Sequence, residues 1–292
     1  TSSTTTGDDF SAALPSGTLT FAQNDGAQQV TVTVIGDAID EPNFTLRFEI
    51  TSMTSGTSGT PSSSGAPADV VVNDDDSAGF SLGLITAAVN EGDSTSYTLR
   101  LNTQPTGDVV LTLSASPVDQ CSVNSPVTLN DTNWNTAANN ITVTATQDQI
   151  VENPHPDCVI SYSVDTVSTT DDVYDVIAAP TNSTIGISDN DTAGFAVGTL
   201  PVSIVEGANA SYTIRLNSQP TGNVVLDLSA SPFGQCTVNS PVTLNAANWN
   251  TAVDNVTVNA TQDGVAESPH PDCVSSYSIN ASTADAIYET LT

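Results

Sequence analysis

The sequence predicts an all-β chain made of tandem antiparallel β-sandwiches. Three observations carry this. Apolar residues recur at every second position over short runs, the pattern of strands with one buried face. Threonine, valine, serine and asparagine dominate, as expected of strands and turns, and lysine is absent. The whole pattern also repeats: Phe80 falls on Phe195, Arg100 on Arg215, Cys121 on Cys236, Trp134 on Trp249 and Asp148 on Asp263, each pair 115 residues apart.

In chain order, residues 1–77 match only the later part of a repeat unit. Residues 78–192 hold one complete unit, and residues 193–292 begin another that stops before any counterpart of Thr184 to Asp191. The expectation is an excerpt of a longer array, whose first unit lacks its early strands and whose third lacks its last. Val30, Val32 and Val34 predict one strand of the first segment; Phe44, Leu46, Phe48 and Ile50 predict another. In the middle unit Tyr97, Leu99 and Leu101 share a face, as do Ile141, Val143 and Ala145, and Ile160, Tyr162 and Val164. Turn-prone clusters such as Gln104-Pro105-Thr106-Gly107 separate the runs. About seven short half-buried strands per unit point to an antiparallel sandwich.

Charge narrows the function classes. The chain of 292 residues carries 33 acidic side chains against three basic ones, a formal net charge of −30. Such a surface repels nucleic acid and anionic membranes, and no apolar run reaches the roughly 18 residues of a spanning helix. A general solubility surface and acidic clusters balanced by divalent cations both remain. Charged residues are only 12% of the chain and the acids bunch in presumed loops, which favours the cations.

Four cysteines allow three pairings. Repeat symmetry favours Cys121 with Cys158 and Cys236 with Cys273, so that each unit closes on itself; the plain alternative is buried free thiols. Bridges would imply an oxidising, extracellular setting. The absence of a Cys-x-x-Cys pair argues against a zinc site of that type.

Carboxylates mark the same phase of each unit. Asp37 and Glu41, Asp148 and Glu152, and Asp263 and Glu267 form Asp-x-x-x-Glu after a presumed strand. Glu91 and Glu206 stand in Glu-Gly pairs near the unit starts, and Asp74, Asp75, Asp76, Asp189 and Asp191 sit at the unit borders. Calcium takes six to eight oxygen ligands in tolerant geometry. Carboxylates crowded together without a cation repel one another and hold their protons more tightly. A solvated acidic loop is the bland reading of each motif alone; their recurrence favours a Ca2+ site.

The order Val-x-Glu-Gly, then Asp-x-x-x-Glu after a Val/Thr strand, then a terminal (Asp/Asn)-Asp resembles the Calx-β domain. Residues 7–48, which include Asp9 and the phrase Val-Thr-Val-Thr-Val-Ile-Gly-Asp, look especially like it. Asn133-Trp134-Asn135-Thr136 and Asn248-Trp249-Asn250-Thr251 are similar to Calx-β-like repeats of large bacterial surface proteins. The resemblance implies a seven-stranded sandwich that binds calcium at the pole where its last strand ends. Its ligands in the middle unit would be Glu91, Asp148, Glu152, Asp189 and Asp191, with Asp119 as a further candidate. The third unit departs from this pattern, with Gly234 in place of Asp119 and no terminal acids.

His155 and His270 lie in Pro-His-Pro-Asp-Cys, read as a rigid loop ahead of the bridge. No Gly-x-Ser-x-Gly elbow, triad spacing or phosphate loop is present. The functional expectation is therefore a non-enzymatic extracellular structural repeat protein, part of a stalk, adhesin or filament. Its expected partners are further repeats or neighbouring copies, joined head to tail by strand addition. The alternatives are a calcium-dependent carbohydrate or cell-surface binding module, for which Trp134 and Trp249 would be stacking platforms, and a non-catalytic appendage of a secreted enzyme.

Overall fold

The computed structural model describes residues 17–22, 25–55, 67–85, 88–136, 140–267, 269 and 271–291. Asp9 and His270 lie outside them. Among the described residues the regular structure is all β apart from one 3-10 turn, Tyr288–Thr290. The first segment contributes β1 (Phe44–Phe48) and β2 (Ala68–Val72), an antiparallel pair. The middle unit contains β3 (Phe80–Leu82), β4 (Val89–Asn90), β5 (Ser94–Tyr97), β6 (Leu99–Leu101), β7 (Val109–Ser116) and β8 (Cys121–Val123). It continues with β9 (Val127–Leu129), β10 (Ile141–Ala145), β11 (Cys158–Val164), β12 (Ser183–Ile185) and β13 (Ile187–Ser188). The third unit contains β14 (Phe195–Val197), β15 (Asn209–Tyr212), β16 (Ile214–Leu216), β17 (Val224–Ser231), β18 (Cys236–Val238), β19 (Val242–Leu244), β20 (Val256–Ala260) and β21 (Val274–Ile279).

In the middle unit a sheet ordered β12-β11-β7-β9 faces one ordered β5-β10-β8. The two-residue alternation becomes burial directly. Ile141, Val143 and Ala145 of β10 and Cys158 and Ile160 of β11 are at most 1% exposed. They meet Tyr97, Leu111, Leu129 and Ile185 in one apolar cluster between the sheets. A disulfide joins Cys121 on β8 to Cys158 on β11, so it clamps one sheet to the other. Cys236 and Cys273 are bridged in the same way in the third unit, whose separate core gathers Tyr212, Ile214, Leu226, Leu244 and Val256. Each bridge closes a loop of 37 residues in separation, a constraint of about 4 kcal/mol in the chain-entropy model. Trp134 and Trp249 pack against these cores.

Two expectations change. The run Tyr97 to Leu101 reads as one strand, but the chain changes partner at Thr98: β5 pairs with β10 and β6 with β3. Asn140 covers the break, accepting from the Leu99 N–H and donating to the Leu99 carbonyl, and Asn255 does the same at Ile214. Val30 to Val34 forms no strand beyond a single bridge residue at Val34. Its counterpart β10 is held by β5 and β8, and the described part of the first segment has no strands in those places.

One arrangement has no signature in the local sequence pattern. Asp171 accepts from the Thr106 N–H and hydroxyl with one oxygen and from the Val173 and Tyr174 N–H groups with the other. The Tyr174 hydroxyl bonds in turn to Thr103. Asp285, Thr221, Tyr288 and Ser218 repeat the arrangement in the third unit. Burial opposes the charge on Asp171, but the four donors outweigh it and hold the carboxyl below its ordinary value of 3.8. Asp285 is lowered for the same reasons.

Asp171→Ala is expected to lower stability in urea unfolding by about 2–3 kcal/mol, because buried backbone donors lose their acceptor. Asp172→Ala, an exposed neighbour, should cost under about 0.5 kcal/mol; equal losses would refute the assignment. Since the folded value is depressed, this stabilisation is present above pH 3.8 and is lost as pH falls through the folded value.

Candidate metal centre

The carboxylates of the middle unit meet at one end of the sandwich because strand ends converge there. β4 runs parallel to β13, and the Glu91 N–H continues that ladder by donating to the Ser188 carbonyl at 3.1 Å. Gly92 then turns the chain with φ of 78°, and its N–H donates to the Ala145 carbonyl at the end of β10. This is the physical role of the Glu-Gly pair: the left-handed turn needs glycine, and it leaves Glu91 at the mouth of the core. Glu206-Gly207 repeats it, with φ of 75° and a Gly207 N–H bonded to the Ala260 carbonyl.

Asp148 and Glu152 follow β10, Asp189 and Asp191 follow β13, and His155 precedes β11. Asp189 docks these loops together. Its Oδ2 accepts from the Glu152 N–H at 2.7 Å and its Oδ1 from the Asp191 N–H at 2.7 Å. Asp148 accepts from the Ile150 N–H, a local turn that Asp37 with Ile39 and Asp263 with Val265 repeat. Part of the recurrence of Asp-x-x-x-Glu is therefore loop shape. Asn190 donates to the Glu91 carbonyl and to Gln147, fastening the acidic junction to the turn after β4.

Two groups of side chains can hold a cation. Glu91, Asp189 and Asp191 offer oxygens alone; Glu91, Glu152 and His155 offer oxygens and a nitrogen. In each group the ligand atoms lie within 4.8 Å of one another. Glu91 is common to both and is 3% exposed. Glu91 Oε2 and Asp191 Oδ2 are buried without a hydrogen-bond partner. His155 Nε2 lies 3.1 Å from Glu91 Oε1 and 2.9 Å from Glu152 Oε2, while Gln120 donates to Glu152 Oε1 at 2.7 Å.

The electrostatics follow from this crowding. Burial pushes the Glu91 carboxyl up, the hydrogen bond from His155 partly counters it, and Asp148 and Asp189 push further. Glu152 is raised chiefly by burial, with Asp148 and Asp189 opposing the relief that His155 and Gln120 provide. Asp191 is raised by burial and by Asp189 and Asp148. Burial disfavours the charged His155 ring, but the Pro156 carbonyl and the Glu152 and Glu91 carboxylates outweigh it and raise its value.

The remaining predicted residues divide plainly. Asp119 is exposed and belongs to neither group; the turn before β8 directs its neighbour Gln120 inward instead. In the first segment Asp37, Glu41, Asp74, Asp75 and Asp76 line one groove, and Asp74 accepts from the Glu41 N–H as Asp189 does from Glu152. Asp76 is raised by slight burial and by Asp74, Asp75, Asp37 and Asp40. In the third unit Gln262 donates to Glu206 and Gln235 to Glu267, and Asp263 shapes its loop. Among the described residues, both cation-holding groups lie in the middle unit. His155 and Gln120 were missed from sequence. The available signal was the recurrence of each, as His270 and Gln235, together with His155 standing three residues after Glu152.

No family model matches this chain, and no curated protein sequence matches it.

The metal-free protein should lose stability as pH rises. Glu91 is raised above 4.5, so its contribution is present below that pH and is lost as pH climbs through the folded value. His155 is raised above 6.5, and its contribution is lost in the same direction above that pH. Thermal unfolding in chelator between pH 4.5 and 8 should show a falling midpoint, and Glu91→Gln should flatten the fall. An unchanged slope in the variant would rule out the buried carboxylate as its source.

Proposed function

We propose that this chain is a non-enzymatic extracellular structural protein, an array of Calx-β-type sandwiches stiffened by Ca2+ and forming part of a stalk, adhesin or surface filament. The observation that carries the reading is the buried Glu91, whose unpartnered Oε2 shares one small group with Asp189 and Asp191. A buried carboxylate oxygen without a partner is costly, even with His155 beside the other oxygen. A hard divalent cation would compensate it with the oxygen ligands calcium prefers. Glu91, Asp189 and Asp191 would hold the ion, with Asp148 close enough to raise the values of Glu91 and Asp191.

Mechanical continuity is supported by the borders between units. The Gln104 N–H donates to the Ala38 carbonyl at 2.7 Å, and the Gln219 N–H to the Gln149 carbonyl at 2.6 Å. These are equivalent ties, each joining one unit's Asp-x-x-x-Glu loop to the next unit's Gln-Pro-Thr-Gly turn. A cation that orders the loop after β10 would therefore also stiffen the joint. The two disulfides fit an oxidising environment, and extracellular or cell-surface placement extends that observation. Further repeats or neighbouring copies are the proposed partners, meeting head to tail.

Thermal unfolding with calcium and with chelator tests the reading. A hundredfold excess of calcium over its Kd should add about 2.7 kcal/mol to the unit that binds it. The Asp189→Asn/Asp191→Asn double variant should lose that gain. A wild-type midpoint indifferent to calcium would remove the proposal.

A further inference from the structure

His155 is held in the way metal-binding histidines are held. Its Nδ1 lies 2.8 Å from the Pro156 carbonyl, a group that can only accept, so Nδ1 carries the ring proton. In the metal-free protein a proton on Nε2 makes the hydrogen bond to Glu91 described above, and a cation that displaces this proton would find the Nε2 lone pair free. Nε2 points at Glu91 Oε1 and Glu152 Oε2, and the histidine side chain is 3% exposed. Either that proton or a cation must lie between Nε2 and the two carboxylate oxygens. A backbone carbonyl on one ring nitrogen with the other directed at acidic ligands is the usual outer-shell arrangement of a ligating histidine.

We propose that Glu91, Glu152 and His155 form a second cation site, one that takes a borderline divalent d-block ion of the zinc class and is chemically distinct from the oxygen-only group Glu91, Asp189 and Asp191. The donor set makes the distinction: calcium and magnesium take oxygens, whereas imidazole with carboxylates suits zinc, manganese or cobalt. The spacing is compatible. Ligand atoms about 2.0–2.1 Å from a tetrahedral zinc lie roughly 3.3 Å apart, close to the 2.9 and 3.1 Å seen at Nε2. Further acceptors are at hand, since Glu91 Oε2 and Gln120 Oε1 are both buried without a hydrogen-bond partner.

Recurrence supports the site independently. The third unit keeps Glu206, Glu267 and His270 at the matching positions, and Gln235 donates to Glu267 as Gln120 does to Glu152. In sequence the histidine and the supporting glutamine recur together with the two glutamates. The site shares Glu91 with the oxygen-only group but does not need calcium there, and it would stand if the calcium reading failed.

Cobalt(II) provides the probe, because its visible d–d absorption reports a nitrogen and oxygen site directly. With the full chain freed of calcium, added Co2+ should produce a visible band stronger than that of the aqueous ion, and Zn2+ should bleach it. His155→Gln should abolish the band. Asp191→Asn should leave it intact. Chelator-treated wild type should also melt at higher temperature when Zn2+ is added, and His155→Gln should lose this rise. No band in the wild type would mean that a proton bridges the two carboxylates instead, and would overturn the proposal. A band indifferent to His155→Gln, or lost with Asp191→Asn, would overturn it equally. A far-ultraviolet spectrum matching wild type shows that each variant is folded.

Discussion

The end of the middle sandwich depends on one constraint, the burial of the Glu91 carboxylate at the mouth of an apolar core. Glu91 can be there only because β4 pairs in parallel with β13, which delivers Asp189 and Asp191 beside it. The backbone of the same residue bonds to Ser188, and its carbonyl accepts from Asn190. The strand ladder, the acidic junction and the buried charge are therefore a single structure. Weakening the pairing would expose the carboxylate; ionising the carboxylate without compensation strains the pairing.

The described residues of the third unit show no such pairing. It keeps the Glu-Gly turn, the disulfide and the Asp-Tyr lock. Residues 201–208 nonetheless form no strand corresponding to β4, and Val202 and Val205 are exposed. Tyr277 is 45% exposed, whereas the matching Tyr162 is 9% exposed and bonds to the hydroxyls of Tyr97 and Ser183. The core survives because its two sheets still face each other. The acidic end of the middle unit is built from edge strands, β4 and β13.

Within the core, the period-two pattern was sufficient: Ile141, Val143 and Ala145, and likewise Cys158, Ile160 and Tyr162, are buried as their alternation requires. The cysteine pairing was equally legible, since a repeated unit that closes on itself leaves one symmetric solution. The candidate site was legible only in part. Glu91, Glu152, Asp189 and Asp191 could be picked out because carboxylates recurring at one phase are unusual. Asp119 was a poor choice because a turn, which has no fixed periodicity, decides that Gln120 and not Asp119 faces inward.

The sequence by itself determined the fold class, the repeat, which faces are buried and which cysteines meet, because all of these follow from local periodicity or from the symmetry of identical units. Only the tertiary structure decided that the run from Tyr97 to Leu101 splits between two sheets, that Asp171 and Tyr174 lock a distant turn, and that His155 lies between Glu91 and Glu152. Each of those depends on where separate strand ends and loops meet in space, at sequence separations of 64 or more for the hydrogen bonds that define the lock and the His155–Glu91 contact. No local pattern encodes a meeting of that kind.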